Sequence, residues 1–230
     1  MFASRSMAAL MFIAGITTGQ FIYVLMLKPA RAEEDPIDAA PADYVPVKCV
    51  YRVRSLKPPQ YAHGTAFGVS KNLLLTAAHN VLTGDPKRQT VAENIRIEIT
   101  PNVWASCSVI KYNEEMDIAL LKCERDVDAL DLCGDDLDPK DRGVMPASFR
   151  GGVVHSYIAT VEARYYKGMP TSRAKVVFDH GASGAPFVIN GRCGGMFISS
   201  MPAKTATGME TDHGNMLPTS VLKWFIEKKE

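Results

Sequence analysis

Gly64-Thr65-Ala66-Phe67-Gly68-Val69, followed by Leu73-Leu74-Leu75-Thr76-Ala77-Ala78-His79, is the stretch from which the rest of the chain can be read. Two apolar runs too short for helices are separated by the polar Ser70, Lys71 and Asn72, which is the pattern of two buried strands joined by a turn. The second run ends in two alanines. Side chains that small let the backbone approach its neighbours closely and set the following imidazole at the edge of the core.

The same texture continues in both directions. Short β-prone runs separated by turn residues recur as VKCVYRV, IRIEIT, CSVIKY, DIALLKC, VVHSYIATVEARYY, AKVVF, APFVI and GGMFISS. Only Thr219 to Lys229 has helical spacing, with Val221, Leu222, Phe225 and Ile226 on one face. Many short strands and one terminal helix predict an all-β sandwich or a pair of barrels.

Two further segments carry chemistry. In Met116-Asp117-Ile118-Ala119-Leu120-Leu121-Lys122 a single carboxylate opens an apolar strand. A carboxylate at such a place needs hydrogen-bond donors, and an imidazole N–H is a suitable one. In Asp179-His180-Gly181-Ala182-Ser183-Gly184-Ala185-Pro186-Phe187 a serine stands among glycines. Glycine permits turns closed to other residues, so the hydroxyl and nearby backbone N–H groups can point together at a substrate. A serine hydroxyl is a poor nucleophile until a base takes its proton, and a histidine oriented by a carboxylate meets that need.

With these three segments in the order His, Asp, Ser, the sequence from about Lys48 to the C-terminal helix resembles the trypsin-like (chymotrypsin-fold) serine peptidases. The likeness is to compact bacterial and viral branches, such as the HtrA-type and glutamyl-endopeptidase-like members. The resemblance implies two six-stranded antiparallel β-barrels with a C-terminal helix. It also implies His79 as general base and acid, Asp117 as its orienter, Ser183 as nucleophile, and the backbone N–H groups of Gly181 and Ser183 as the oxyanion hole. Ala182 stands where digestive members carry the aspartate that receives an amino terminus freed by zymogen cleavage, so that activation route is not expected. Ala185 replaces the more usual glycine behind the nucleophile.

For specificity, the resemblance places the base of the primary pocket at Val177. It runs the substrate backbone along Ile198, Ser199 and Ser200. Without an acidic pocket base, a small or apolar P1 side chain is expected rather than lysine or arginine. An alternative is that His213, in an Asp212-His213-Gly214 turn, reads an acidic P1. His180 is expected to border the cleft. None of the histidines shows metal-ligand spacing, and no metal or cofactor is expected.

Net charge is uninformative: 26 basic against 25 acidic residues offer no basic surplus for nucleic acid. The N-terminus says more. Met7 to Leu27 holds no charged residue and is flanked by Arg5, Lys28 and Arg31, and Ala30-Arg31-Ala32 forms a small-x-small cleavage pattern. Residues 1–32 read as a signal peptide ending at Ala32, or as an uncleaved signal anchor. Residues 33–47, with Pro36, Pro41 and Pro46 among acidic side chains, read as a linker, and 48–230 as the peptidase domain. The domain is therefore expected to be secreted or periplasmic, or tethered outside the cytoplasm. In such a compartment disulfides persist. Five cysteines are present, and Cys107 and Cys123 lie symmetrically about Glu115, where a hairpin would set them opposite each other, either bonded or as two reduced core residues. The expected function is a serine endopeptidase acting on protein or peptide substrates through an acyl-enzyme. The alternative is a catalytically silent module that keeps the fold for binding or scaffolding.

Overall fold

The computed structural model describes residues 48–228 apart from 59, 86–87, 149–153, 165–167, 169, 179 and 206–207, with the backbone alone over 201–212. Met7 to Leu27 and the linker 33–47 lie outside the described residues.

The N-terminal half closes a six-stranded antiparallel barrel. Its strands are β1 (Val50–Lys57), β2 (Gln60–Ser70), β3 (Leu73–Thr76), β6 (Glu93–Thr100), β7 (Val103–Asn113) and β8 (Ile118–Cys123), ordered β1-β2-β3-β8-β7-β6. The two-residue strands β4 (Leu82–Thr83) and β5 (Thr90–Val91) pair as a small separate ribbon. The C-terminal half closes a second six-stranded barrel. It is built from β9 (Arg142–Ser148), β10 (Val154–Ala163), β11 (Ser172–Lys175), β12 (Pro186–Ile189), β13 (Arg192–Thr205) and β14 (Gly208–Pro218), ordered β10-β11-β14-β13-β12-β9. Helix α1 (Thr219–Glu227) follows directly. The expected pair of six-stranded barrels with a terminal helix is present.

Why these strands read as unbroken apolar runs is explained by what lies on their two faces. In β3 and β8, Leu74 pairs with Leu121 and Leu75 with Leu120. Side chains alternate between faces along a strand. Leu74 and Leu121 fill the first barrel with Val53, Ala66 and Ile97. Leu75 and Leu120 point the other way, into a second cluster with Phe67, Ile118, Val188, Met196, Leu217, Leu222 and Phe225, which joins both barrels and the helix. The second barrel has its own filling of Met145, Ala159, Val161, Phe187, Phe197 and Met216. The face of α1 anticipated from its spacing does the packing: Leu222 and Phe225 are buried, and Val221 and Ile226 pack against the same cluster. Asp136 holds the helix start through the Ser220 N–H and hydroxyl, both at 2.8 Å.

Two strands escape a reading by pattern. Strand β9 contains Pro146, which cannot donate to a ladder. It is accommodated because β9 pairs along its length with β10 but pairs with β12 only at Val144–Val188. Strand β14 contains Asp212-His213-Gly214, which was expected to turn; instead His213 pairs with Lys175 and Gly214 with Ala174. The glycine serves close approach there, since a Cβ at Gly214 would lie 2.7 Å from the Phe197 ring and 3.0 Å from that of Phe178. The hairpin about Glu115 sets Cys107 directly opposite Cys123, and all five cysteines are free thiols.

Gly184 lies in close contact with the first barrel. It has φ +87°, and a Cβ there would lie 2.0 Å from the Thr65 carbonyl oxygen. Both the left-handed conformation and the contact with backbone exclude any side chain. Gly184→Ala is therefore expected to lower unfolding stability by on the order of 3 kcal/mol or more. Urea unfolding of the variant checks this, and a loss within about 0.5 kcal/mol would contradict it.

Candidate active site

His79 is placed by the end of β3. After Thr76 the chain passes through the buried Ala77 and Ala78 into a single 3-10 turn, Ala78–Asn80. The turn closes with the Asn80 N–H donating to the Ala77 carbonyl at 3.1 Å. Asp117 is the residue before β8, at φ +54°, a left-handed conformation in which non-glycine residues are uncommon. It is held by its own N–H to the Glu114 carbonyl at 3.2 Å, and by the Asn113 side chain, which accepts from the Met116 N–H at 2.8 Å.

From there the Asp117 carboxylate engages His79 twice. Oδ1 accepts from the His79 backbone N–H at 2.9 Å, and Oδ2 lies 2.7 Å from His79 Nδ1. An ionised carboxylate only accepts, so this contact keeps the imidazole proton on Nδ1 and leaves Nε2 as an acceptor. Half of the His79 side chain is exposed, at 48%, while Asp117 behind it is more covered, at 25%.

Ser183 arrives on the loop before β12, from the other barrel, with Gly181 at φ +98° and Gly184 at φ +87° on either side. The loop is tied to the first barrel by its carbonyls. Ser183 O accepts from the Thr65 N–H at 3.0 Å and from Asn80 Nδ2 at 2.9 Å. Gly181 O accepts from the Thr65 hydroxyl at 2.7 Å, and that hydroxyl in turn accepts from the Ser148 N–H at 3.0 Å. Within its own barrel the loop is closed by Ala185 N to Ala182 O at 2.9 Å and Gly184 N to Phe197 O at 2.7 Å. Among the described residues, no backbone carbonyl accepts from the N–H of Gly181 or Ser183.

His79 and Ser183 line one cleft of about 380 Å³, together with Gly181, His180, Ile198, Ser199 and Ser200. Phe178, Lys57, Ala62, His63 and Asn80 complete its walls. Val177 and His213 are not among the lining residues. Val177 is 42% exposed, and its buried neighbour Phe178 faces the cleft instead. His213 is turned to Glu162, with Nε2 at 3.1 and 3.2 Å from the two carboxylate oxygens, and Glu162 also pairs with Arg173 at 2.9 Å.

Sequence reasoning missed Thr65, Asn80 and Lys57. Lys57 Nζ donates to the His79 carbonyl, and burial lowers its pKa while Asp117 acts to raise it. The only signal for the first two was a polar residue inside an apolar run: Thr65 is fully buried and Asn80 is 4% exposed. Thiol chemistry is disfavoured at the buried Cys49 and Cys193 and at Cys107. Burial pushes Cys49 up to about 11 and raises Cys107 and Cys193 as well, so these cysteines stay protonated at neutral pH. Among the described residues no group of His, Cys, Asp or Glu is arranged to hold a metal ion.

No family model matches the sequence, and no curated protein matches it either. Solved structures do match. The Rv3671c protease from M. tuberculosis in its active form superimposes with a TM-score of 0.63 at 18% identity, over 80% of this chain and 83% of that one. The serine endoprotease from Yersinia pestis gives a TM-score of 0.66 at 16% identity, over 79% of this chain and 62% of that one. The HtrA-type protease AlgW, solved with a tripeptide, gives 0.63 at 18% identity, over 79% and 61%. Taken with the two closed barrels, these likenesses show that the chain has the fold of the trypsin-like serine proteases.

Proposed function

We propose that this chain is a serine endopeptidase that works outside the cytoplasm through an acyl-enzyme. The observation that carries the reading is the 2.7 Å contact between His79 Nδ1 and the Asp117 carboxylate, in a cleft that His79 shares with Ser183. In this reading His79 Nε2 takes the Ser183 proton as Oγ attacks the scissile carbonyl, and Asp117 stabilises the imidazolium that forms. The tetrahedral oxyanion is received by the N–H groups of Gly181 and Ser183. His79 then gives the proton to the leaving amine, and water repeats the sequence to release the acid.

The acyl half of the substrate lies along Ile198, Ser199 and Ser200 of β13. A small or apolar P1 side chain suits the apolar Phe178 and Ile198 in the cleft wall, where no carboxylate stands among the described residues. Ala182 is fully buried and has no charge to receive an amino terminus, so the site forms on folding without zymogen cleavage. Export by the apolar segment Met7 to Leu27, cleaved after Ala32 or kept as an anchor, puts the domain in an extracytoplasmic compartment.

Treating the full chain, kept in nonionic detergent, with a fluorophosphonate is expected to give one covalent adduct at Ser183 by mass spectrometry, absent in Ser183→Ala. An adduct that persists in Ser183→Ala, or no adduct in either protein, would overturn the catalytic reading and leave the fold as a binding module. Asp117→Asn is a second check. An amide can present its N–H to Nδ1 and force the wrong tautomer, so peptidase kcat should fall about 10⁴-fold with the fold intact by circular dichroism. A fall of less than about tenfold would contradict the role of Asp117 as orienter.

A further inference from the structure

On the first barrel's side of the cleft the wall is formed by Lys57, Ala62 and His63, beside the turn of the β1–β2 hairpin, whereas Ile198–Ser200 lie on the second barrel's side. If the acyl half of a substrate lies on β13, as proposed above, this wall receives the leaving-group half.

Its outer surface is strongly basic. Residues directly opposite one another in a sheet present side chains to the same face. Arg54 is opposite His63 on one side and opposite Arg96 on the other. Two arginines facing each other across a strand pair repel, so the arrangement costs stability unless an anion sits over it. Among the described residues two carboxylates of β6 share this side, Glu98, committed to Arg52 at 2.8 Å, and Glu93, opposite Leu56, and neither is paired with Arg54 or Arg96. Among the described residues no carboxylate pairs with Arg54 or Arg96, and none lines the cleft.

Arg54 is also held ready. Its guanidinium lies 3.9 Å from the Trp104 ring centroid and 5.1 Å from that of Tyr61. Stacking on two rings fixes the plane of the guanidinium and leaves an edge for bidentate contact with a carboxylate. The positive field reaches the cleft: burial and the nearby Arg52 and Arg54 hold the His63 imidazole below the usual histidine range. Lys57 carries the same charge to the carbonyl of His79 itself.

We infer that the strip His63, Arg54 and Arg96, flanked in the cleft by Lys57, is a recognition surface for acidic peptide, so that preferred substrates carry Asp or Glu in the first residues beyond the scissile bond. The inference rests on the proposed peptidase function for its polarity, and the binding of acidic chain tests it without requiring turnover. Three fluorescein-labelled dodecapeptides of Ala, Ser and Val would be compared on the full-length Ser183→Ala chain by anisotropy. One has three Glu in its C-terminal half, one has Gln at those positions, and one has the three Glu in its N-terminal half.

The expected result is that the first binds about tenfold more tightly than either of the others at low salt. That advantage should shrink as salt rises and be lost in Arg54→Gln/Arg96→Gln. The fluorophosphonate reaction of Ser183 in the otherwise wild-type chain should be unchanged by the same two substitutions. Equal binding of all three peptides, or an acidic preference that survives the double substitution, overturns the inference. Preference for glutamates in the N-terminal half would place the strip on the acyl side and overturn its assigned polarity. Absence of a fluorophosphonate adduct in the wild-type chain would instead count against the peptidase reading alone.

Discussion

The carbonyl of Ser183 is held by two donors from the other barrel, the Thr65 N–H and the Asn80 side-chain amide, and the rest of the site depends on that hold. Ser183 and His79 belong to different halves of the chain, and nothing in covalent structure keeps them in register. Hydrogen bonds to a peptide carbonyl do, because they fix the plane of the peptide that follows Ser183. The Thr65 hydroxyl does the same two residues earlier by binding the Gly181 carbonyl. Asn80 is the residue after His79, so one short turn carries both that imidazole and a clamp on the Ser183 backbone. Asn80 is itself held, donating to Thr76 Oγ1 at 3.0 Å and accepting the Ser55 hydroxyl at its carbonyl at 2.6 Å.

Such a polar seam is tolerable only where every member finds a partner. Ser55, Thr65 and Thr76 are fully buried, and each has a hydrogen bond to the seam: Ser55 to Asn80, Thr65 to Gly181, Thr76 to the Thr65 carbonyl. Around it the apolar cluster built on Leu75, Leu120, Met196 and Leu217 excludes water from the junction. Glycines at 64 and 184 make the approach possible. A Cβ at Gly64 would lie 2.2 to 2.4 Å from the Asn80 side chain, and one at Gly184 would strike Thr65 O. The residues that join the barrels are thus the ones that present Ser183 and His79 to one cleft.

Much of this was legible in the sequence, for identifiable reasons. His79, Asp117 and Ser183 are chemically distinctive residues set in apolar or glycine-rich surroundings, and the two-faced burial of β3 and β8 shows as unbroken apolar runs. The symmetric spacing of Cys107 and Cys123 about Glu115 gave their register. What stayed hidden acts at a distance or through the backbone. The partners of Thr65 and Asn80 lie over a hundred positions away, 116 from Thr65 to Gly181 and 103 from Asn80 to Ser183, and a bond to a carbonyl leaves no trace in the partner's side chain. Strand β9 was masked by Pro146. His213 looked like a turn residue because Gly214 follows it, whereas that glycine makes room for Phe197 and Phe178 and His213 faces Glu162.

The dependence of Ser183 on the seam is open to one direct measurement, the rate of fluorophosphonate modification at Ser183 in Asn80→Ala, read beside urea unfolding of the same protein. Removing one donor from a buried carbonyl costs about 1–3 kcal/mol of stability and leaves the barrels folded. The modification rate is predicted to fall at least about tenfold, because the Ser183 peptide loses its second anchor while His79 and Asp117 remain. A folded variant that reacts at the wild-type rate would contradict the account.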